Sequence, residues 1–251
     1  MPAMTLPALP EETFRRVLCV VAHPDDMEYG VSAAVARWTS RGVEVGYLLL
    51  TRGEAGMPNP PEETARLRVA EQRAACDVVG VERLTILEHP DGVLVYGLDL
   101  RRDICREIRV FKPDVVFGSA FDVETKFGFD QADHRAAGLA TLDAIRDAGN
   151  RWVFPEQVTD EGLEPHSVRW YLQPGHTDPT HGVDVTGEPL RRGVASLEAH
   201  AAYLAALPDH PAPGDFIPQF AAMSGKLMGV EHAVLFRAHD LQAPPGFDAE
   251  D

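Results

Sequence analysis

An imidazole and two carboxylates follow a run of apolar residues near the start of the chain, as His23, Asp25 and Asp26 after residues 17–22. The run is typical of a strand buried in a parallel sheet. Burying these polar groups at the end of such a strand is costly unless something pairs them, and a divalent metal does so. His23 and Asp26 flank a turn that Pro24 stiffens, so both side chains can converge on one ion.

The second aspartate, Asp25, is expected to point elsewhere and to remain beside a water at the metal. One imidazole and one carboxylate suit zinc, with an open position left for catalysis. The alternative is that Asp25 or Asp26 caps the N-terminus of the following helix. Capping explains one aspartate but not the histidine, the proline and the second aspartate together, so we favour the metal site.

The segment that contains this cluster, Ala-His-Pro-Asp-Asp-Met-Glu at 22–28, resembles the signature of the zinc-dependent de-N-acetylases, the LmbE-like or PIG-L family. The resemblance covers residues 17 to about 147 well, with a weaker patch near 183–203. It implies a metal-dependent hydrolase that removes an N-acetyl group from an amino-sugar conjugate of the N-acetylglucosaminyl type. The other matching pieces follow in the family's order: 51–56, Arg68 with Glu71, 90–92, 112–116 and 131–135.

The resemblance also implies roles for single residues. His134 is expected to be the third metal ligand, with His23 and Asp26, and the chain to carry about one Zn²⁺, although Fe²⁺ is compatible with the same ligands. The alternative for His134 is an exposed histidine at the start of a helix. Asp25 is expected to act as the general base, which takes a proton from water and delivers it to the leaving amine.

One position departs from the family pattern, because Gln131 stands where relatives usually have a histidine that stabilises the oxyanion. A glutamine cannot change its protonation state, but its amide can donate hydrogen bonds. We therefore predict that Gln131 is an oxyanion donor and that proton transfer depends more on Asp25. The alternative is an altered substrate or lost activity; the persistence of Asp25 and all three ligands favours retained activity.

Two loop residues are candidates for binding substrate. Arg52 is predicted to anchor a sugar hydroxyl or an anionic substituent, unless it is an exposed surface charge. Asp91 is predicted to bind sugar hydroxyls, although Asp-Gly is also an ordinary turn. His176 and His181 lie in a loop-like segment without a partner motif, which argues against a second metal site, and His200 is more typical of a packing position.

Composition is that of a globular enzyme, with 251 residues, of which 45% are hydrophobic and 25% charged. The net charge of −16 argues against nucleic acid and anionic membranes as partners. The resemblance implies a small N-acylated sugar as the ligand. We predict a cytoplasmic protein, because the start of the chain lacks the features of a signal peptide. A homo-oligomer is compatible with the sequence, and the three cysteines are expected to be buried free thiols.

Strand-like and helix-like segments alternate through the first part of the chain. This order predicts an α/β fold: a Rossmann-like, three-layer arrangement with a mainly parallel sheet and helices on both faces. A single domain is expected over 1–251, with a core at 17–147, a less regular part at 150–251 and an irregular tail from Pro208 onward. The predicted strands are 17–22, 43–50, 84–87, 115–118, 168–172 and 183–185, and the predicted helices are 28–40, 62–79, 98–111, one from about 133, and 189–207.

Two other functions remain open at this point. One is an amidase of the same fold that cleaves a larger sugar–thiol conjugate, and the other is a metal- or carbohydrate-binding protein without turnover. A dinucleotide-dependent oxidoreductase is disfavoured, because no Gly-x-Gly-x-x-Gly follows the first strand.

Overall fold

The computed structural model describes residues 5–125 and 128–243 and is built around a seven-stranded sheet. A separate pair of very short strands, the fifth and sixth along the chain, forms a hairpin. The strands are β1 (Arg16–Val21), β2 (Glu44–Leu49), β3 (Arg83–Ile86), β4 (Val115–Gly118), β5 (Glu124–Thr125), β6 (Gly128–Phe129), β7 (Trp170–Pro174), β8 (His181–Asp184) and β9 (Ala233–Asp240).

The order of strands across the large sheet is β3-β2-β1-β4-β7-β9-β8. The first five strands in this order are parallel to one another, whereas β9 runs antiparallel to both β7 and β8. The helices are α1 (Ser32–Ser40), α2 (Pro61–Val79), α3 (Leu98–Phe111), α4 (Ala132–Gly149), α5 (Pro155–Thr159), α6 (Glu188–Glu198), α7 (Ala201–Ala205) and α8 (Pro213–Met228).

Alternation along β1 shows why helices cover both faces of the sheet. Val17, Cys19 and Val21 pack into one apolar core with α1, α2, α6 and α8. Leu18 and Val20 face the opposite core, which α3 and α4 complete. A strand that is apolar on both faces needs cover on both, and three layers result. The prediction of a three-layer, mainly parallel α/β fold is confirmed.

The elements of the first half agree closely with the predicted ones. The helix at 98–111 and the strand at 115–118 have the predicted bounds. The first helix was placed too early, since it begins at Ser32 rather than at Glu28. Residues 24–31 instead form turns, one of them closed by the Glu28 N–H, which donates to the Asp25 carbonyl at 2.8 Å. The three cysteines are buried and unpaired by disulfides, as predicted.

Two predictions for the last third are wrong. The helix expected over 189–207 is broken at His200, which separates α6 from α7. The tail from Pro208 is not irregular throughout, because it contains α8 and β9. Pro213 lies in the first turn of α8, where proline is tolerated, and β9 is held between two strands that sequence periodicity does not reveal as its partners.

Within residues 5–125 and 128–243, no helix combines the length and the hydropathy that crossing a membrane requires.

Candidate metal centre and active site

The predicted site residues meet at one edge of the sheet. His23 follows β1, Asp91 lies in the segment after β3, and His134 stands in the first turn of α4, beyond β4. Because β1 lies between β2 and β4 and all three are parallel, their carboxyl ends share that edge. Ligands of open α/β sheets collect at this place.

Three atoms converge as the sequence predicted for a metal. Asp26 Oδ1 lies 3.5 Å from His23 Nδ1 and 3.1 Å from His134 Nε2. The ligand atoms of these three residues all lie within 4.8 Å of one another. Two imidazole nitrogens and one carboxylate oxygen are the donors that a catalytic zinc site uses, with a fourth position left for water or substrate. The residues therefore fit a divalent metal.

The other ring nitrogen of each histidine faces a carboxylate. His23 Nε2 lies 3.0 Å from Asp91 Oδ1 and 3.4 Å from Asp133 Oδ2. His134 Nδ1 lies 2.9 Å from Asp130 Oδ1. A carboxylate on the far nitrogen fixes the ring orientation and places the proton there, so that the near nitrogen is left for a metal.

A second group of three, His23 with Asp91 and Asp133, is also close enough to hold an ion. Its carboxylates already accept backbone hydrogen bonds, at 2.7 Å from the Ala55 N–H to Asp91 and at 2.8 Å from the Gly92 N–H to Asp133. Asp26 also accepts a backbone N–H, from His23 at 2.9 Å, but only through Oδ2, so that its Oδ1 faces the two imidazoles alone. Both oxygens of Asp133 accept backbone N–H groups, the second from Leu94 at 3.1 Å, and the group containing Asp26 and His134 is therefore the better metal site.

The two residues predicted to bind substrate, Asp91 and Arg52, differ in where they lie relative to the cavity. Asp91 lines the cavity, and its two oxygens contact His23 Nε2 and the Ala55 N–H. These contacts favour a role in orienting His23, and sugar binding by Asp91 stays a prediction. Arg52 is not among the described residues that line the cavity. Its Nη1 lies 3.8 Å from Glu88 Oε1, and its Nε is buried without a hydrogen-bond partner among the described residues. The anchoring role of Arg52 stays a prediction.

Asp25 belongs to neither of the two possible metal groups, and its carboxylate has other partners. Its backbone has φ +83°, which few residues other than glycine adopt, and its N–H donates to Gln72 Oε1 at 2.9 Å. Its Oδ1 lies 2.7 Å from Arg68 Nη2, and the Tyr203 hydroxyl also bonds to this carboxylate. The strained turn is thus held by partners from α2 and α7.

The two neighbouring aspartates have opposite electrostatic environments. Burial is the largest influence on Asp25 and raises its pKa; Arg68 opposes this rise and the charge of Asp26 adds to it, which brings the pKa to about 6. Burial alone would also raise the pKa of Asp26, but His23 and His134 hold it well below its usual range. A carboxylate with a pKa near 6 can both take and return a proton near neutral pH, whereas Asp26 remains an anion.

Both histidines are basic in the absence of a metal. Burial alone would lower the pKa of His23, but Asp26 and Asp91 raise it to about 11. Burial alone would also lower the pKa of His134, but Asp26 and Asp130 raise it to about 10. Protons therefore occupy the positions that a divalent cation would take, so metal binding must release them.

The loop after β2 is shaped around Arg68, whose Nη2 donates to the Pro24 carbonyl. A Cβ atom added at Gly56 would lie 2.2 Å from Arg68 Nη1, and one at Gly53 would lie 2.9 Å from Arg68 Nη1 and from Pro24 Cδ. Gly53 also has φ +67°. The two glycines, Gly53 and Gly56, thus leave room for the close approach of Arg68, which contacts Asp25.

Four functional residues were missed or left without a role by the sequence: Gln72, Asp130, Arg68 and Tyr203. Asp130 had a detectable signal, because it stands four positions before His134 at the start of a helix. Its Oδ2 is buried and has no hydrogen-bond partner within the described residues. Tyr203 is distant in sequence and left no such signal.

Gln131 occupies the N-cap position of α4 and is exposed on the cavity wall next to Asp130. Its backbone N–H donates to Asp130 Oδ1 at 2.9 Å. His200 is fully buried, with Nε2 3.7 Å from Glu28 Oε2, as a packing position would be. Neither His176 nor His181 belongs to a possible metal group among the described residues.

The site opens into a cavity of about 700 Å³. His23, Asp25, Asp26, Gln131 and His134 line one part of it. The volume is within the range of pockets that hold small organic ligands.

Comparison with known families agrees with this geometry. Residues 18–145, just over half of the chain, match the model of the family described as GlcNAc-PI de-N-acetylase, PIG-L. All of the residues assigned above to the metal site and its partners lie in this stretch, except Tyr203.

Among curated proteins, the diacetylchitobiose deacetylase of Thermococcus kodakarensis is 30% identical over 164 residues, 64% of this chain and 60% of that protein. A probable N-acetyl-α-D-glucosaminyl L-malate deacetylase of Bacillus anthracis is 32% identical over 141 residues, 52% of this chain and 59% of that protein. The matches thus span less than two thirds of these relatives.

Among solved structures, the N,N′-diacetylchitobiose deacetylase of Pyrococcus horikoshii superimposes with a TM-score of 0.81 at 24% identity, covering 92% of this chain and 86% of that one. A likeness at this identity shows that the fold is shared.

Proposed function

The chain belongs to the GlcNAc-PI de-N-acetylase (PIG-L) family, and from that membership and the site geometry we propose that it is a zinc-dependent N-deacetylase of amino-sugar conjugates. The expected substrate is a small N-acetylglucosaminyl compound, in line with the names of the relatives. The proposed reaction is hydrolysis of the amide, which yields a carboxylic acid and a free amine.

We assign His23, Asp26 and His134 to hold the metal. A divalent ion bound there polarises an acyl carbonyl and lowers the pKa of water. Asp25 takes the proton from the attacking water and then delivers it to the nitrogen of the leaving amine. Gln131, on the cavity wall beside His134, donates through its amide to the oxygen that becomes negative.

The observation that carries this proposal is the contrast between two adjacent carboxylates. Asp26 Oδ1 faces two imidazoles, whereas Asp25 Oδ1 faces Arg68 and lies outside the ligand group. A purely structural aspartate pair would not need both a strained backbone at Asp25 and a set of partners that holds it apart from Asp26. A base beside a metal requires this separation.

The proposal is tested by stripping the purified protein of metal and adding back Zn²⁺. Acetate and free amine are then measured with N-acetylglucosamine, N,N′-diacetylchitobiose and an aryl N-acetylglucosaminide. We expect the two products in equal amounts, activity only after Zn²⁺ is restored, and about one tightly bound ion per chain. Equal turnover in stripped and reloaded protein would contradict the metal role, and zinc binding without turnover on any amide would favour a binding protein.

A further inference from the structure

The cavity extends beyond the metal centre into a part with apolar walls. The residues there come from α1 or the turn before it, β4, α6, α8 and β9, and each is at most 8% exposed. We call this part the apolar arm and define it by Val31, Phe117, Leu190, Ile217, Ala221 and Val234.

The arm lies along the same sheet edge as the metal centre. β4 neighbours β1 on one side and β7 on the other, and β7 neighbours β9. Pro174 at the end of β7 pairs with Phe236, so residues 233–235 at the start of β9 extend past the carboxyl end of β7. A molecule bound at His23 and His134 can therefore reach along this edge beneath α6 and α8.

Polar groups in the arm are few. Ser224, on α8, is a polar residue that lines the cavity. Glu28 also reaches the cavity, but Gln72 Nε2 donates to its Oε1 at 3.2 Å, and the same glutamine accepts from the Asp25 N–H. Glu28 therefore belongs to the Asp25 side. A sugar hydroxyl in the arm would lose its hydrogen bonds to water with little in return, whereas a hydrocarbon chain is stabilised there.

The orientation of a substrate follows from this contrast. The reacting carbonyl must lie at the metal centre, with the sugar on its nitrogen side and the acyl carbons on the other. The cavity mouth, at exposed Ala55, Gly56, Gly92 and Gln131, offers water and amide groups that suit sugar hydroxyls. The carbons of the acyl chain carry no hydroxyl groups, so they fit the apolar arm.

We propose that the apolar arm binds the hydrocarbon chain of an N-acyl group longer than acetyl, so that the protein is an N-deacylase of amino sugars with alkyl acyl chains. This assignment rests on the proposed amide hydrolysis at the same site. Water adds its oxygen to the acyl carbon, the C–N bond breaks, and the amine nitrogen receives the proton, giving a fatty acid and a free amino sugar without a redox partner.

The first test is a series of one glucosaminide bearing N-acetyl, N-butanoyl, N-hexanoyl or N-octanoyl groups, with free amine as the readout. We expect kcat/KM to rise by about fourfold for each added methylene until the arm is full. An acetyl compound that is turned over as well as the hexanoyl compound, or better, would overturn the proposal.

Measurements of substrate affinity test the apolar arm independently of the proposed hydrolysis. Calorimetry on the Zn²⁺-loaded protein carrying Asp25→Asn, in which turnover is slowed, measures affinity for the N-acetyl and N-hexanoyl compounds. Tighter hexanoyl binding supports the arm even if no amide is cleaved by the wild type, in which case the proposed hydrolysis is what fails. Equal affinities would overturn the arm.

Two variants of α8 test whether the preference for longer acyl groups arises in the apolar arm. Ala221→Phe fills the arm, and we expect it to bring the hexanoyl-to-acetyl ratio of kcat/KM down to about one. Met223→Phe introduces the same side chain on α8 at a position that is 62% exposed and outside the cavity wall, and the ratio should stay at the wild-type value. Thermal melting verifies that both variants are folded.

An apolar aglycone is the rival occupant. N-acetyl octyl glucosaminide, compared with its methyl glycoside, tests it directly. The proposal is overturned by the following combination: the octyl aglycone raises kcat/KM, Ala221→Phe removes that gain, and a longer acyl group has no effect on kcat/KM. The apolar arm would then hold the aglycone. An acyl gain that Ala221→Phe removes, with no aglycone gain, supports it.

Discussion

The cavity has two unlike sides that come from different stretches of the chain. Apart from Tyr203, the polar side is built from residues between His23 and His134, all within the segment that matches the family. Four of the six residues that define the apolar arm come after residue 186: Leu190, Ile217, Ala221 and Val234. The chemistry of the reaction and the choice of substrate are therefore separable, and changes on one side should leave the property of the other side largely intact.

The two sides also differ in how strictly they fix geometry. Charge-assisted contacts such as Asp26 to His134 and Asp25 to Arg68 tolerate little change in atom type or position. Apolar walls accept substitutions of similar volume at small cost. Substitutions on the polar side should consequently change metal affinity or kcat steeply, and substitutions in the arm should change the preference among substrates.

The largest effect is expected from His134→Ala, which removes a ligand and leaves Asp26 facing one imidazole. Zinc affinity, measured by competition with a chelator, should fall by more than about a hundredfold, since loss of a partner behind a ligand alone weakens binding 10- to 100-fold. His181→Ala is the matched control, because that histidine lies outside both possible metal groups. Undiminished zinc occupancy in His134→Ala would remove His134 from the site.

Acidification should weaken metal binding, which is a property of the polar side of the cavity. The pKa values of His23 and His134, about 11 and about 10 without metal, mean that both rings carry a proton at pH 7 that a metal displaces. Apparent zinc affinity should therefore fall about a hundredfold for each unit of pH lowered between pH 9 and pH 6. Calorimetry in buffers of different ionisation enthalpy should detect about two protons released per ion, and a value near zero would contradict the assignment.

Gln131→Ala should lower kcat by about a hundredfold with KM little changed, because an oxyanion donor acts in the transition state. Gln131→His tests whether the family's usual residue works here, with Asp133 still two positions away. Steady-state kinetics on one N-acylated substrate serve for both variants. Turnover of Gln131→Ala close to that of the wild type would exclude the amide from catalysis.

Asp130→Asn should weaken zinc binding by about 10- to 100-fold, because the amide no longer fixes the His134 ring as a carboxylate does. Asp143→Asn is the control and should bind zinc as the wild type does; Asp143 lies on α4, the helix that carries His134, and its carboxylate accepts from the Tyr96 hydroxyl. A zinc affinity of Asp130→Asn equal to that of the control would leave the Asp130–His134 contact without a role in metal binding.

The polar side could be predicted because several of its key residues lie close together in the sequence. His23, Asp25 and Asp26 lie within one turn after an apolar strand, and strands β1 to β4 follow the apolar periods of the sequence. Long-range partners could not be found in this way. Tyr203 reaches Asp25 only because Glu71 on α2 accepts the backbone N–H groups of Ala202 and Tyr203, a contact that spans more than a hundred residues.

The apolar arm was not predictable from composition. The proline- and glycine-rich segment after Pro208 suggested irregular structure, yet α8 forms there and buries Ile217, Ala221 and Gly225. Packing against the sheet outweighs the weak local preference of this segment, including the proline at position 218 inside the helix. Which strands pair with β9 is decided by the same packing and has no signature in its eight residues.

The central claim is that two adjacent aspartates divide metal binding from proton transfer. The most direct measurement compares zinc content and turnover in Asp25→Asn and Asp26→Asn, one substitution at two neighbouring positions. We predict that Asp25→Asn keeps about one zinc per chain and loses at least about a hundredfold in kcat, whereas Asp26→Asn loses the zinc itself. Loss of zinc in Asp25→Asn, or full zinc content in Asp26→Asn, would contradict the account.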